Sequence, residues 1–386
     1  MKNNDSSNGQ KHLRNSINDL FYYKDSYQEC RRDFVFNCNS IKQKVSNANL
    51  FNFKVKSSAD KDLKVDLFHI PARRNNKKLL IISSGVHGIE GFVGSALQNM
   101  ILKEHAENDN LGDYGMLLIH GVNPYGFKFL RRVTENNVDL NRNCSVSEQL
   151  YQIQNNGYKD LYDLLNPKGK VKTSIFRERY FYLETANKIL TSSIKTLRQA
   201  VLQGQYDFEE GLYFGGKTFE PQVELLIPII KDISTHYNKI LCIDIHTGYG
   251  DRGKLHLLLN PIKDAIKRNS IEELFNGMQI DWGDSDDFYT FTGDFPGFIA
   301  QIRPDIPVYP ITFEFGTINN KGMLGSIKSI HNMITENQGA HYGYRNEHDE
   351  KSVHDNFMEM YYPSSQEWRL KVMEQFRNTM QLLVER

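Results

Sequence analysis

Residues 78–105 read KLLIISSGVHGIEGFVGSALQNMILKEH, and a change of period inside this stretch decides the fold. Leu79, Leu80, Ile81 and Ile82 are continuously apolar, as in a strand buried on both faces of a sheet. Ser83, Ser84 and Gly85 end that run, and Phe92, Val93, Ala96, Leu97, Met100 and Ile101 then recur at helical spacing. A strand passing through a glycine-rich turn into a helix is a unit of the open α/β sheet, where ligand sites gather at the carboxyl ends of the strands. His87 and Glu90 sit in that turn, three positions apart. On a first helical turn this spacing brings an imidazole and a carboxylate to one side, within reach of one ion. H-x-x-E is by itself a common string, and Glu90 also suits a helix N-terminus, so the rest of the chain must decide.

The bulk composition narrows the classes. The 386 residues are 39% hydrophobic and 24% charged, which suits a globular chain large enough for one α/β domain with an insertion. Lys+Arg and Asp+Glu balance at 47 each, which argues against nucleic-acid or anionic-membrane partners, since both call for a basic surface. No run approaches the ~18–20 apolar residues of a membrane span. The polar start MKNNDSSNGQKHLRNS has no apolar stretch of a secretory signal, so a cytoplasmic protein is expected. Cys30, Cys38, Cys144 and Cys242 show no C-x-x-C spacing, which fits reduced thiols.

Taken in order, residues 1–16 are polar enough to be disordered, and residues 17–386 are expected to form a single catalytic domain. Residues 17–36 suggest an aromatic-rich helix, and residues 50–55 and 63–70 two strands of an edge hairpin. Residues 116–120 are another short strand, followed by the polar loop GVNPYGFKFLRRVTENNVDLNRN, a candidate for substrate contact. A mainly helical insertion is expected at about 145–235, with a long helix over 177–202 that presents Tyr180, Leu183, Ala186, Leu190 and Ile194 on one apolar stripe. Residues 239–245, 254–260 and 308–315 read as further strands, and 368–383 as a closing helix. Strands alternating with helices imply an α/β fold with a mixed, mainly parallel central sheet and helices on both faces.

Separate strand ends now offer His87 with Glu90, His246, and Glu314 in ITFEFGT. Two imidazoles and one carboxylate fill three corners of a tetrahedral zinc site and leave the fourth for water. Glu314, a carboxylate within an apolar strand, is costly to bury without a partner or a chemical task. Asp244 precedes His246 by two residues and so projects on the same side of its strand, as an acceptor for an imidazole N–H.

In this order the motifs resemble the zinc carboxypeptidase superfamily, which includes carboxypeptidase A-like peptidases and the succinylglutamate desuccinylase and aspartoacylase branch. The resemblance covers residues 78–317. It implies zinc ligands at His87, Glu90 and His246, a catalytic Glu314, and an Asn141–Arg142 pair in VDLNRN that holds a substrate carboxylate. It also implies an arginine that polarises the scissile carbonyl, Arg132 or its neighbour Arg131. GQYDFEEGLYFGG and YYPSSQEWR resemble a bacterial branch of metallopeptidases whose substrate the family does not supply. The implied reaction is amide hydrolysis of a small peptide or an acyl-amino acid with a free carboxylate. Carboxypeptidases carry a mobile Tyr between the third ligand and the catalytic Glu, for which Tyr289 is the candidate here. The acidic residues Asp281, Asp284, Asp286 and Asp287 read as a solvated loop.

Two other readings compete. A catalytically silent relative would bind a peptide or carboxylate through the arginine loop. Residues 211–218, GLYFGGKT, formally match the phosphate loop of an NTPase, but such a loop must follow a buried strand and open a helix, and here GQYDFEE precedes it.

Overall fold

The computed structural model describes residues 18–72, 77–106, 114–191, 199–262, 264–275, 277–283, 292–318 and 323–384. The expected disorder of residues 1–16 therefore lies outside the described residues. The first long helix is Tyr27–Lys44 (α1), preceded by a 3-10 turn at Leu20–Tyr22, which corrects the expected helix at 17–36. The cause is the Ser26 N-cap. Ser26 Oγ accepts the Glu29 N–H at 3.2 Å and donates to the Glu29 carboxylate at 2.9 Å, so the S-x-x-E signal starts the helix later than the aromatic pattern suggests.

The strands are β1 (Asn49–Lys54), β2 (Lys64–Ile70), β3 (Lys78–Ser84), β4 (Tyr114–His120), β5 (Lys239–Gly248), β6 (Leu255–Leu259), β7 (Ile280–Trp282) and β8 (Val308–Gly316). They form one sheet in the order β1-β2-β4-β3-β5-β8-β6-β7. Its middle, β4-β3-β5-β8, is parallel, while the β1-β2 hairpin and the β6-β8 pair are antiparallel. After α1 the longer helices are α2 (Gly91–Ile101), α3 (Ile175–Thr191), α4 (Pro221–Ser234), α5 (Ala265–Leu274), α6 (Phe295–Ile302), α7 (Met323–Tyr342), α8 (Glu347–Tyr361) and α9 (Gln366–Val384). The chain thus has an α/β fold with a mixed sheet and helices on both faces.

Residue alternation along the strands divides the core. Leu80 and Ile82 of β3 and Leu241, Ile243 and Ile245 of β5 pack with α1, α2 and α9 on one face. Leu79 and Ile81, with Ile240 and Cys242, pack with α4 and α6 on the other. Asp244 and His246 continue the second series, as do Thr312 and Glu314 on β8, so these polar groups reach one face at the carboxyl ends of the strands. A third cluster lies over those ends and joins Tyr158, Leu161, Val201 and Tyr213 of the insertion to Met333, Phe357 and Tyr361 of α7 and α8.

The expected stripe on the insertion helix is corrected in part. Tyr180 and Leu183 are 68% and 71% exposed, while Thr185 is buried and the side chains of Ala186, Leu190 and Ile194 lie outside the described residues. The helix turns a different face to α7 because Phe181, off the stripe, packs against His331 at 4.9 Å between ring centroids.

The turn after β3 leaves no room for a side chain at one point. Gly88 N–H donates to the Arg132 carbonyl at 3.1 Å, and a Cβ on Gly88 would stand 2.1 Å from the Gly126 carbonyl carbon. Overpacking costs about 1–3 kcal/mol, so Gly88→Ala is expected to destabilise the fold by at least that much. The shift in denaturant midpoint measures it, and an unchanged midpoint would contradict the close approach.

Candidate metal centre

The strand ends converge on one point. His87 precedes the 3-10 turn Gly88–Glu90, His246 lies near the end of β5, and Glu314 is its ladder partner on β8. His87 Nδ1 is 2.8 Å from Glu90 Oε1, and His246 Nδ1 is 2.9 Å from Glu90 Oε2. The two Nδ1 atoms are 3.0 Å apart. The far nitrogen of each ring meets a carboxylate, Asp139 Oδ1 at 3.2 Å from His87 Nε2 and Asp244 Oδ2 at 2.5 Å from His246 Nε2. Each ring is thus bracketed by carboxylates, Glu90 at Nδ1 and Asp139 or Asp244 at Nε2; with a cation in place of the Nδ1 protons, the Nε2 protons would stay on Asp139 and Asp244 and both Nδ1 lone pairs would turn inward. Lone pairs that close repel unless a cation lies between them.

The donor chemistry therefore fits a metal ion. Two imidazole nitrogens and a carboxylate oxygen, all within 4.8 Å of one another, are a three-protein-ligand set of the kind found in catalytic zinc sites, and a carboxylate behind each imidazole fixes its tautomer. Without a cation, the same cluster favours protons. Burial disfavours charge on His246, yet Asp244 and Glu90 outweigh it and hold its pKa well above the usual imidazole range. Burial likewise opposes ionisation of Glu90, but His87 and His246 keep its carboxyl below the usual range.

Glu314 lies beside this cluster in an interior strand, with Oε1 accepting the Tyr249 N–H at 2.8 Å. Burial, and then the Glu90 charge, push its carboxyl up to about 8. Of the two adjacent arginines, Arg132 enters the cluster. Its Nε and Nη2 donate to Asp139 Oδ2 at 3.3 and 3.2 Å, and its Nη1 to Glu90 Oε1 at 3.4 Å. Arg131 turns away and donates to Glu336 on α7 at 2.8 Å.

Asn141 donates its N–H to Asp139 Oδ1 at 2.9 Å, and its Oδ1 accepts the Phe295 N–H at 2.9 Å. Arg142 is held by carbonyls, donating through Nη1 to Asn141 O at 2.7 Å and through Nε to Leu202 O at 3.2 Å. Both side chains reach a cavity of about 340 Å³ that also contains His87, Glu90, Arg132, His246 and Glu314. Tyr289 lies outside the described residues, as do Asp284, Asp286 and Asp287, while Asp281 sits in β7 near His256 Nδ1 at 3.5 Å.

Sequence reasoning missed several groups. Asp139, which backs His87 and orients Arg132, stands two residues before Asn141 in VDLNRN and had that proximity as its signal. Tyr361 ends α8 with its hydroxyl 3.5 Å from Arg132 Nη1 and donating to Met333 Sδ at 3.0 Å; no local pattern marks it. Tyr213, within 5.3 Å of the Arg132 guanidinium, belongs to the segment that matched a phosphate loop. That segment follows no strand of the sheet and opens no helix. Instead Phe214 O accepts the Asp139 N–H at 2.7 Å and Lys217 Nζ donates to Tyr206 O at 2.6 Å.

Among the described residues no helix is long and apolar enough to cross a membrane. A carboxylate behind a liganding imidazole is typically worth about 10–100-fold in metal affinity. Asp244→Asn is expected to lower zinc affinity by that factor and His246→Ala by more, as read by competition with a chromophoric chelator. Wild-type affinity in both variants would remove the cluster as a metal centre.

No curated protein matches the chain. Similar solved structures include thrombin activatable fibrinolysis inhibitor, at 14% identity over 84% of this chain and 76% of that one, with a TM-score of 0.44. Carboxypeptidase A from Helicoverpa armigera matches at 13% identity, over 83% and 71%, with a TM-score of 0.38. Succinylglutamate desuccinylase/aspartoacylase from Rhodobacter sphaeroides matches at 11%, over 77% and 65%, with a TM-score of 0.37. Residues 23–375 match a family model as a whole, and the chain belongs to that family, described as "Protein of unknown function (DUF2817)".

Proposed function

We propose that the protein is a zinc-dependent hydrolase that cleaves an amide bond in a small peptide, in the manner of a carboxypeptidase, or in an N-acyl amino acid. The observation that carries this reading is the meeting of His87, Glu90 and His246 with Glu314 and Arg132 at one cavity. When bound, zinc supplies Lewis acidity toward an attacking water and the scissile carbonyl. His87, Glu90 and His246 would hold it, oriented by Asp139 and Asp244.

Glu314 takes the proton from the attacking water and returns it to the leaving amine. Tyr249 N–H pins one of its oxygens, which holds the carboxylate at a fixed position for both proton transfers. Arg132 offers N–H donors where negative charge develops on the carbonyl oxygen, and Asp139 and Glu90 hold its guanidinium plane so that little reorganisation is needed. Arg142 and Asn141 receive the substrate carboxylate, the planar guanidinium suiting two parallel hydrogen bonds.

Removing a general base typically costs about 10²–10⁴-fold in rate. Glu314→Gln is expected to lose amide hydrolysis by that factor, on a panel of peptides and N-acyl amino acids, while keeping its zinc. Undiminished turnover in Glu314→Gln, or a wild-type protein that binds carboxylate peptides without holding zinc, would refute the hydrolase and favour a silent binding protein.

A further inference from the structure

Helix α3 has two faces of different character. Phe181 packs on His331 of α7, and Thr185, one turn further on, is buried, so this side meets the body of the protein. Phe176, Tyr180 and Leu183 lie on the opposite side and are 83%, 68% and 71% exposed. Ile175 beside them is exposed as well, and so is every residue from 175 to 180. The first turns of α3 therefore stand clear of the body on all sides. Single exposed apolar side chains are ordinary, but four of them gathered on neighbouring turns form a continuous patch, and such a patch marks a surface that takes a partner.

The residues around the patch say which partner fits. Steps of four and then three along the chain, from Phe176 to Tyr180 to Leu183, are those of a paired helix, with Tyr180 at an a position and Phe176 and Leu183 at d positions. Arg177 and Glu184 then occupy the e positions along one edge of the seam, and Arg179 a g position along the other. When two copies of such a helix run antiparallel, a packs on d and e faces e. Tyr180 of each copy then packs on Leu183 of the other, and Arg177 of each faces Glu184 of the other. A twofold axis makes every contact twice.

Other alignments are poorer. Sliding the antiparallel pair by one heptad, so that Tyr180 meets Phe176, sets Arg177 against Arg177 and Arg179 against Arg179, which repel. A parallel pair can match Arg179 with Glu184, but it lays the two helix dipoles side by side in the same direction. The patch is also large enough to matter. Its side chains offer roughly 500 Å² of apolar surface per copy, so two copies together reach about 1,000 Å², the low end of specific interfaces.

We propose that two copies of this chain associate through α3, paired antiparallel with Phe176, Tyr180 and Leu183 in the seam and Arg177–Glu184 ion pairs along its edge. The inference is independent of the hydrolase reading, since none of these side chains lines the cavity. Thr185, on the other face of the same helix, does line it, so the pairing also braces one wall of that cavity.

Sedimentation equilibrium on the zinc-loaded full chain, from about 1 to 200 µM, is expected to show a reversible monomer–dimer equilibrium with a Kd on the order of 10 µM, as suits a small interface. Leu183→Glu and Phe176→Ser should each weaken it by about 10-fold or more, with the melting temperature kept because both side chains are exposed. Should one of these variants fail to fold, the other decides. Arg177→Glu and Glu184→Arg should each weaken the dimer by about 10-fold, and the two changes combined in one chain should restore it, while Arg179→Glu changes little. A chain that stays monomeric throughout overturns the proposal. The face then belongs to residues 1–16 of the same chain if cross-linking joins them to α3, or to a lipid surface if the protein floats with phosphatidylglycerol vesicles. A dimer indifferent to Leu183→Glu and Phe176→Ser overturns it too, as does one that responds to Arg179→Glu and not to Arg177→Glu.

Discussion

The structure depends on carboxylates placed behind imidazoles. Asp139 and Asp244 meet the Nε2 atoms of His87 and His246, and this orientation turns both Nδ1 atoms inward beside Glu90. The buried carboxylates of Glu90, Asp139, Asp244 and Glu314 outnumber the arginines Arg132 and Arg142 that accompany them. The upward shifts of His246 and Glu314 express this imbalance, since each adds a proton to an over-acidic cavity. A divalent cation meets the same imbalance without protons, and its positive charge would oppose both shifts. An arrangement so costly to bury is stable only with such compensation.

Sheet geometry makes the convergence reproducible. A strand shows alternate residues to one face, so Asp244 and His246 appear together, and the β5-β8 ladder sets Glu314 beside His246. A register slip of one residue would turn these groups to the opposite face and bring apolar neighbours into the cavity. Ser83 of β3 adds a cross-strand lock, its hydroxyl donating to Asp244 Oδ1 at 2.7 Å. The turn carrying His87 is held from the other side by the backbone of Arg131 and Arg132, which accepts the N–H groups of Ile89 and Gly88. The turn that carries His87 and the backbone from which Arg132 projects are therefore tied by one pair of hydrogen bonds.

How much was legible in the sequence follows from the range of each interaction. The β3 strand, its glycine turn and the apolar strands at β5 and β8 are encoded in local period, and so were read with small errors at their ends. The start of α1 departs from the aromatic spacing because the Ser26 cap governs it. β7, only three residues long, and the helices α7 and α8 carry weaker local patterns and were passed over. Asp139 could have been read from its place beside Asn141, whereas Tyr361 could not. Its position depends on the packing of α8 over the strand ends, with Thr247 Oγ1 donating to its carbonyl at 2.7 Å, a contact between residues far apart in the chain.

Residues 145–235 form part of the cavity wall. The Leu202 carbonyl accepts from the Arg142 guanidinium, Phe214 holds the backbone of Asp139, and the Tyr213 ring lies over both Arg132 and Arg142. Removing this segment would expose Arg132 and Arg142 to water, where a guanidinium is mobile and its attraction for a carboxylate is weak. Enclosed as they are, the same groups act in a medium of lower dielectric and at restricted positions. The strand ends supply the His–Glu–His cluster and Glu314, while residues 145–235 desolvate the cations that face them.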